Sequence, residues 1–168
     1  MNEILSILST SGNRWLSLTE NLPAGLLARR PAKGEWSALE CLVHIIDAEC
    51  SVFPVRVRAI LAGQDFPSFS PDAQDSKPDL QESALELARE FFVLRQENLR
   101  LLETLTPADL LRTARHAKLG PVTLAQMLNE WAAHDLDHLI QAERAVMQPF
   151  IAACGPWQVY FQANRITP

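Results

Sequence analysis

Four long segments with helical periodicity constrain the fold of this chain more than any other feature of its sequence. Apolar residues recur at helical spacing over residues 2–21, 37–61, 79–105 and 123–147. Three of the segments open on a capping pattern, a short polar residue followed three positions later by a carboxylate or amide: Ser37 with Glu40, Asp79 with Glu82, and Thr123 with Gln126. These patterns predict where the helices begin.

Proline and glycine positions predict the interruptions. Pro54 lies inside the second segment and predicts a kink or break, because proline removes a backbone donor. Pro149 is expected to stop the last helix, and Pro107 favours a short helix before it. Residues 63–78 contain three prolines and are predicted to form a long loop of the kind that often covers a site. The tail, 148–168, is open to two interpretations near its aromatic residues, a short strand or an extended segment.

The fold class follows from helices with almost no strand pattern. We predict an all-α protein, one four-helix-bundle domain over residues 1–168. Apolar residues make up 48% of the chain and charged residues 21%, which is typical of a globular domain and not of disorder. The long connections at 22–36 and 63–78 leave the helix directions open.

Charge and cysteine content exclude several classes of protein. The net charge of −5 argues against a nucleic-acid-binding surface, which needs a basic face. No apolar run approaches the roughly 20 residues that span a bilayer, and the N-terminus does not resemble a signal peptide. The chain has three cysteines, an odd number without CxxC spacing, which argues against a disulfide framework. We therefore expect a cytoplasmic protein with reduced thiols and a small-molecule substrate.

Three of the four histidines fall on the apolar faces of predicted helices. His134 and His138 are four residues apart, so both project from one face of the last helix. His44 lies on the inward face of the second helix. One divalent ion bound by all three would give one nitrogen on each ring a partner. Burying these nitrogens without a partner would cost free energy. The competing interpretation is that each is a hydrogen-bonded core histidine.

Two stretches of sequence resemble the DinB-like, damage-inducible four-helix family. The first is RPAKGEWS at residues 30–37, followed by Glu40, His44, Asp47 and Glu49; the second is HDLDHLIQ at 134–141. The resemblance covers nearly the whole chain in helix number, order and spacing.

This resemblance implies an up-up-down-down bundle and one divalent metal ion, often nickel or zinc. The implied ligands are His44, His134 and His138, and no ligand position departs from the family pattern. Relatives include bacillithiol-type thiol transferases and mycothiol-dependent maleylpyruvate isomerases, so a low-molecular-weight thiol is a possible second cofactor, and a homodimer is plausible. Many members have no known reaction, so the fold alone does not give the function.

Acidic residues near the histidines are weak candidates for proton transfer. Glu40 and Asp47 lie within one turn of His44, and Glu130 lies four residues before His134. Glu40 is alternatively a capping residue and Asp47 a solvated or salt-bridged one. Gln141 lies three residues after His138 and is a candidate hydrogen-bond partner.

Other residues have a structural and a functional interpretation. We favour a small buried thiol for Cys41, and for Trp36, Trp131 and Met127 the core competes with a pocket lining. Asp135 and Asp137 are interpreted as solvated. A basic cluster before the last helix is either a solvated loop or an anion site: Arg112, Arg115, His116 and Lys118.

Three functions remain open from the sequence. The first is a metal-dependent enzyme, because three neutral histidine ligands leave coordination positions on the ion open for a hydroxide or a thiolate. Such a ligand set permits hydrolysis and thiol transfer equally. The second is a non-catalytic domain that binds a metal or small ligand in a stress response. The third is a homodimeric interaction module that uses the apolar tail around Trp157 and Phe161.

Overall fold

The computed structural model describes residues 1–68 and 83–166, which form six α-helices and one β-hairpin. The helices are α1 (Asn2–Asn21), α2 (Ala24–Leu27), α3 (Ala38–Ser51), α4 (Phe53–Leu61), α5 (Ala84–Glu103) and α6 (Leu124–Ala153). The hairpin pairs β1 (Thr113–His116) antiparallel to β2 (Gly120–Thr123), and 3₁₀ segments occupy Asp109–Leu111 and Gly155–Asn164. Among these described helices, none combines the length and the apolar character needed to cross a membrane.

The predicted four-helix bundle is confirmed, with α1, α3, α5 and α6 as its members. Helix α1 packs against α5 and α6, and α3 packs against the same two helices. Helices α1 and α3 are therefore diagonal to each other across the bundle.

Two apolar clusters, one at each end of the core, give the helix directions. The first joins the early part of α1, the late parts of α3 and α5, and the start of α6; its members include Leu8, Val52, Leu102 and Leu128. The second joins the opposite ends of the same helices; its members include Trp15, Leu42, Phe91 and Leu139. The order is thus up-down-down-up and not the expected up-up-down-down. The reason lies in the ends of the helices: α1 ends and α3 begins at the same end of the bundle, and α4 ends at the end opposite to the start of α5.

The second predicted helix breaks next to Pro54, as expected. Val52 stands between α3 and α4 with φ −111° and ψ −72°, and Pro54 falls in the first turn of α4. A missing amide hydrogen there removes no helical hydrogen bond, because the first turn has no intrahelical acceptors for its donors. The break gives α3 and α4 different axes beside the same core.

The capping boxes at Ser37–Glu40 and Thr123–Gln126 are confirmed. The third is shifted: α5 begins at Ala84, and Ser83 and Glu86 form its capping box. The predicted cap at Asp79 lies outside the described residues, as does most of the predicted loop at 63–78.

Pro149 does not end the last helix, which continues to Ala153. The prediction was wrong because packing offsets the one lost hydrogen bond. Ile151 is buried in the last turn, and the side chain of Gln148 bonds the carbonyl oxygens of Arg144 and Asn164. The tail therefore folds back on α6 as a 3₁₀ segment, neither of the two conformations that we considered.

The β-hairpin was not predicted. Its strands are only four residues long, and Gly120 supplies the positive φ (82°) at the end of its turn. Phe66 makes a parallel bridge to His116, so the chain after α4 is bound to the edge of β1 that does not pair with β2. The hairpin thereby closes one end of the bundle beside α4 and the start of α6.

Candidate metal centre

The three predicted histidines come together between α3 and α6. Each offers one ring nitrogen, and these three atoms lie within 4.8 Å of one another. The Nε2 atoms of His44 and His134 are 3.2 Å apart. Two nitrogens bound to one tetrahedral zinc ion at about 2.0–2.1 Å would be roughly 3.4 Å apart. The sequence thus predicted the histidine cluster, His44, His134 and His138, residue by residue.

Neighbouring side chains fix the orientation of the rings. His138 donates from Nδ1 to Oε1 of Gln141 at 2.9 Å, which leaves its Nε2 lone pair free toward the cluster. The Trp36 ring stacks on His138 with centroids 5.9 Å apart, and the edge of Phe53 meets His134 at 5.1 Å. Gln141 thus has the partner role that its spacing suggested.

Burial favours the neutral form of the His134 and His138 rings. It lowers the pKa of His134 to about 3, and the charges of His138 and His44 add to the effect. Burial also lowers the pKa of His138, although its hydrogen bond to Gln141 acts in the opposite direction. Neutral imidazole is the form that binds metal ions. In addition, Nδ1 of His134 is buried without a hydrogen-bond partner among the described residues. Donor type, spacing and protonation therefore fit a divalent ion.

The histidine cluster lies on the wall of a cleft of about 770 Å³. The cleft lies between α3, α4, the hairpin and the first half of α6. Its surface is mostly apolar, with contributions from Trp36, Phe66, Val122 and Met127. Size and lining are typical of a small-molecule site. Trp36 and Met127 thus line the cleft, whereas Trp131 is buried in the core.

The three acidic candidates are placed differently. Glu40 is occupied by the Ser37 capping box and by an ion pair with Arg30, which agrees with its structural interpretation. Glu130 lines the cleft, and burial raises its pKa. Burial also raises the pKa of Asp47, which is not among the residues that line the cleft. Of the three, Glu130 is the one placed for contact with a bound molecule.

The remaining candidates divide between core, cleft and surface. Cys41 is fully buried, and burial raises its pKa to about 12, which agrees with an unreactive core thiol. The basic cluster is split: His116 and Lys118 line the cleft, whereas Arg112 and Arg115 are exposed outside it.

We expected Asp135 to be solvated, and this prediction was wrong. Asp135 is buried in an ion cluster with Arg95 and Glu49. The side chains of all three are at most 2% exposed. Arg95 donates to both oxygens of Glu49 at 2.7 Å and to both oxygens of Asp135. The prediction of a solvated Asp135 rested on its position beside His134 in the sequence. Nothing in the sequence indicated that an arginine on α5 would lie opposite it. We refer to Arg95, Glu49 and Asp135 as the buried ion cluster.

Arg56 was also missed. It lies on α4, lines the cleft, and faces Glu130 with 3.8 Å between their closest nitrogen and oxygen atoms. A sequence signal was present: Arg56 follows His44, Ala48 and Val52 at intervals of four residues, which is the spacing of one helix face.

Comparison with known proteins agrees with this architecture. The family model described as the DinB superfamily matches residues 7–142. A search of curated proteins gives no match.

Two solved structures from Bacillus subtilis are similar in fold. YfiT, described as a probable metal-dependent hydrolase with an unusual four-helix bundle topology, is 16% identical with a TM-score of 0.74; the match covers 89% of this chain and 86% of YfiT. The DinB-like protein YjoA is 21% identical with a TM-score of 0.59, and the match covers 88% of this chain and 92% of that one. At these identities the similarity shows the fold alone.

Proposed function

Because this chain belongs to the DinB superfamily, we propose that it is a metal-dependent enzyme that acts on a small molecule. The observation that carries the proposal is the convergence of three imidazoles on the wall of a cleft. His44, His134 and His138 would hold one divalent ion, nickel or zinc. Three protein ligands leave a coordination position open, as in catalytic sites.

Hydrolysis is the reaction that we favour. A bound divalent ion would supply a hydroxide nucleophile near neutral pH. The chain adds a mostly apolar cleft, and on its wall Glu130, a half-exposed carboxylate (51%) whose pKa partial burial raises and whose Oε atoms can accept or donate a proton. The description of YfiT as a probable metal-dependent hydrolase supports this choice.

Thiol transfer is the second candidate, and the positions of the cysteines bear on it. Cys41 is buried and unreactive, and neither Cys50 nor Cys154 is among the residues lining the cleft. A thiol nucleophile would therefore come from a low-molecular-weight thiol and not from the chain.

Metal analysis combined with a substrate panel tests the proposal. We expect about one nickel or zinc ion per chain in protein purified without a histidine tag, and loss of that ion in His44→Ala, His134→Ala and His138→Ala. His116→Ala is the matched control, since it removes a cleft histidine outside the cluster. Loaded protein is then assayed against activated esters and amides, and against electrophiles with added thiols.

Each outcome decides between the candidate functions. Turnover of esters that requires the ion supports the hydrolase, and turnover that requires a thiol supports the transferase. Stoichiometric metal without turnover in either panel favours the non-catalytic binding domain. Absence of metal after loading with nickel or zinc contradicts the proposal.

We also propose a homodimer formed through the C-terminal tail. Trp157 and Tyr160 are 62% and 79% exposed, and Phe150 on the last turns of α6 is exposed as well. Neighbouring exposed aromatic side chains are typical of protein interfaces. Sedimentation of wild type and of a Trp157→Ser/Tyr160→Ser variant tests this, and a wild-type monomer at high concentration contradicts it.

The cellular location is likewise a proposal. The three cysteines are free thiols. Free thiols persist in a reducing compartment, which supports a cytoplasmic location. Fractionation of cells that express the protein tests it.

A further inference from the structure

Arg56 is a cation in the cleft with unused hydrogen-bonding capacity. Its side chain is only 12% exposed, and its guanidinium carbon lies 5.5 Å from the centre of the Phe66 ring. Within the described residues its ion-pair partner is Glu130, at a distance of 3.8 Å that is longer than a hydrogen bond. A guanidinium has five N–H donors, and those of Arg56 face the cleft without a hydrogen-bond acceptor among the described residues. An acceptor that enters the cleft would satisfy them.

His116 presents a second donor to the same part of the cleft. Its Nδ1 accepts the backbone N–H groups of Lys118 and Leu119, each at 3.1 Å. Because Nδ1 accepts, the proton of the neutral ring is on Nε2. The His116 ring packs nearly perpendicular to the Phe66 ring, with centroids 5.5 Å apart, and Arg56 contacts the same Phe66 ring. Burial and the charges of Arg56 and Lys118 lower the pKa of His116, which favours this neutral donor form.

We infer that Arg56, His116 and Lys118 form an anion subsite that binds the carboxylate of an amphipathic small molecule. Arg56 and Lys118 are positive and Glu130 is negative, so one net positive charge remains, which matches a monoanion. The Phe66 ring and the apolar side chain of Val122 would contact the rest of the molecule. This inference deepens the proposed function by naming its substrate class.

The subsite is close enough to the histidine cluster for one small molecule to reach both. Phe53, one turn before Arg56 on α4, packs its ring against His134. Arg56 and His134 also line the same cleft. A ligand anchored at Arg56 would thus extend along the α4 wall toward the imidazoles, and the anchor would set which bond reaches them.

Binding of probe molecules to metal-free protein tests the subsite separately from the metal proposal. The probes are 3-phenylpropanoate, its neutral amide, and the dianion 2-phenylethyl phosphate, followed by NMR titration. We expect the carboxylate to bind at least about tenfold more tightly than the amide, since a charge-assisted bond contributes about that factor. We expect the phosphate to bind more weakly than the carboxylate.

Variants of α4 locate the binding. Arg56→Gln should weaken carboxylate binding about tenfold and leave amide binding unchanged. The exposed Arg58 on the same helix gives the matched control, Arg58→Gln, which should bind like wild type. Arg56→Lys should restore part of the affinity, because it keeps the charge and loses the planar fork. Thermal unfolding of each variant checks that the fold is intact.

Several results would overturn the inference. Equal affinity for carboxylate and amide would exclude a charge-selective subsite, and equal effects of Arg56→Gln and Arg58→Gln would place binding elsewhere. Tighter binding of the phosphate would contradict the monoanion assignment. Carboxylate binding only to metal-loaded protein, independent of Arg56, would make the carboxylate a metal ligand instead. Failure of metal loading leaves the subsite test intact, so the two proposals fail separately.

Discussion

The buried ion cluster and the histidine cluster lie side by side on α3 and α6. They differ in how completely their buried polar atoms are paired by hydrogen bonds. In the ion cluster, Arg95 donates to both carboxylates, and Ser11 and Trp131 donate to the same acceptors. In the histidine cluster, two Nε2 atoms face each other, and Nδ1 of His134 has no partner among the described residues.

This difference separates a group that holds the fold from the group that we propose as the metal site. A fully paired cluster fixes the positions of the helices that carry it, whereas a buried nitrogen without a partner among the described residues, such as Nδ1 of His134, costs free energy. Asp135 follows His134 directly in α6, so the paired cluster also fixes the helix that carries two of the candidate metal ligands.

The largest effect is expected from Arg95→Met. The substitution leaves the carboxylates of Glu49 and Asp135 buried without a countercharge and should lower the free energy of unfolding by about 3–5 kcal/mol. Urea denaturation measures it, with the exposed Arg100 on the same helix as the control, Arg100→Met. A change as small as that of the control would remove the contrast between the two clusters.

The second prediction concerns metal-dependent stability. Zinc or nickel at about 100 times its Kd should raise the free energy of unfolding of wild type by about 2.7 kcal/mol. His134→Ala should abolish this increase, and His116→Ala should retain it. Thermal unfolding with and without metal measures the effect. Stabilisation that persists in His134→Ala would place the ion outside the histidine cluster.

The third prediction sharpens the role of Gln141, which orients His138. Gln141→Leu removes the acceptor for Nδ1–H and should weaken metal binding about 10–100-fold. Gln141→Glu keeps an acceptor and should retain most of the affinity. Competition with a chromophoric chelator gives the values, and equal affinity in all three proteins would show that the hydrogen bond does not support the ligand.

The smallest effect is expected in the pH dependence of the metal-free protein. The pKa of His134 is about 3 in the folded protein and about 6.5 in an unfolded chain. Between these values only the unfolded chain binds the proton, so stability is complete above pH 6.5 and falls as pH decreases. One such group gives a slope of about 1.4 kcal/mol per pH unit. His134→Leu should show a shallower slope between pH 5 and 6.5; an unchanged slope would contradict the burial effect.

Periodicity and capping predicted the helices because both depend on residues close in sequence. The Ser37 and Thr123 caps and the break at Pro54 are local features of this kind, and the spacing of His134 and His138 requires only a helix. The position of His44 on the inward face of the second helix added it as their partner, and the family resemblance implied the same three ligands.

What was missed depends on contacts between distant segments. Pro149 remains helical because the tail packs back on it, and Asp135 is buried because Arg95 of α5 reaches it. The hairpin has strands too short for an alternating pattern, and its bridge to Phe66 joins segments 50 residues apart. Arg56 meets Phe66 and Glu130 in the cleft, and Glu130 is 74 residues later in the chain. None of these effects has a signature within a short sequence window.

The break between α3 and α4 also separates a candidate metal ligand on α3 from a residue of the proposed anion subsite on α4. His44 lies before the break, on a helix held by the buried ion cluster, whereas Arg56 lies after it, on a short helix that also contacts the hairpin. Substitutions in α4 and the hairpin can therefore alter which molecules fit the cleft while the ligand helices stay in place. In the enzyme that we propose, selection could therefore act on the wall of the cleft and on the proposed metal ligands separately.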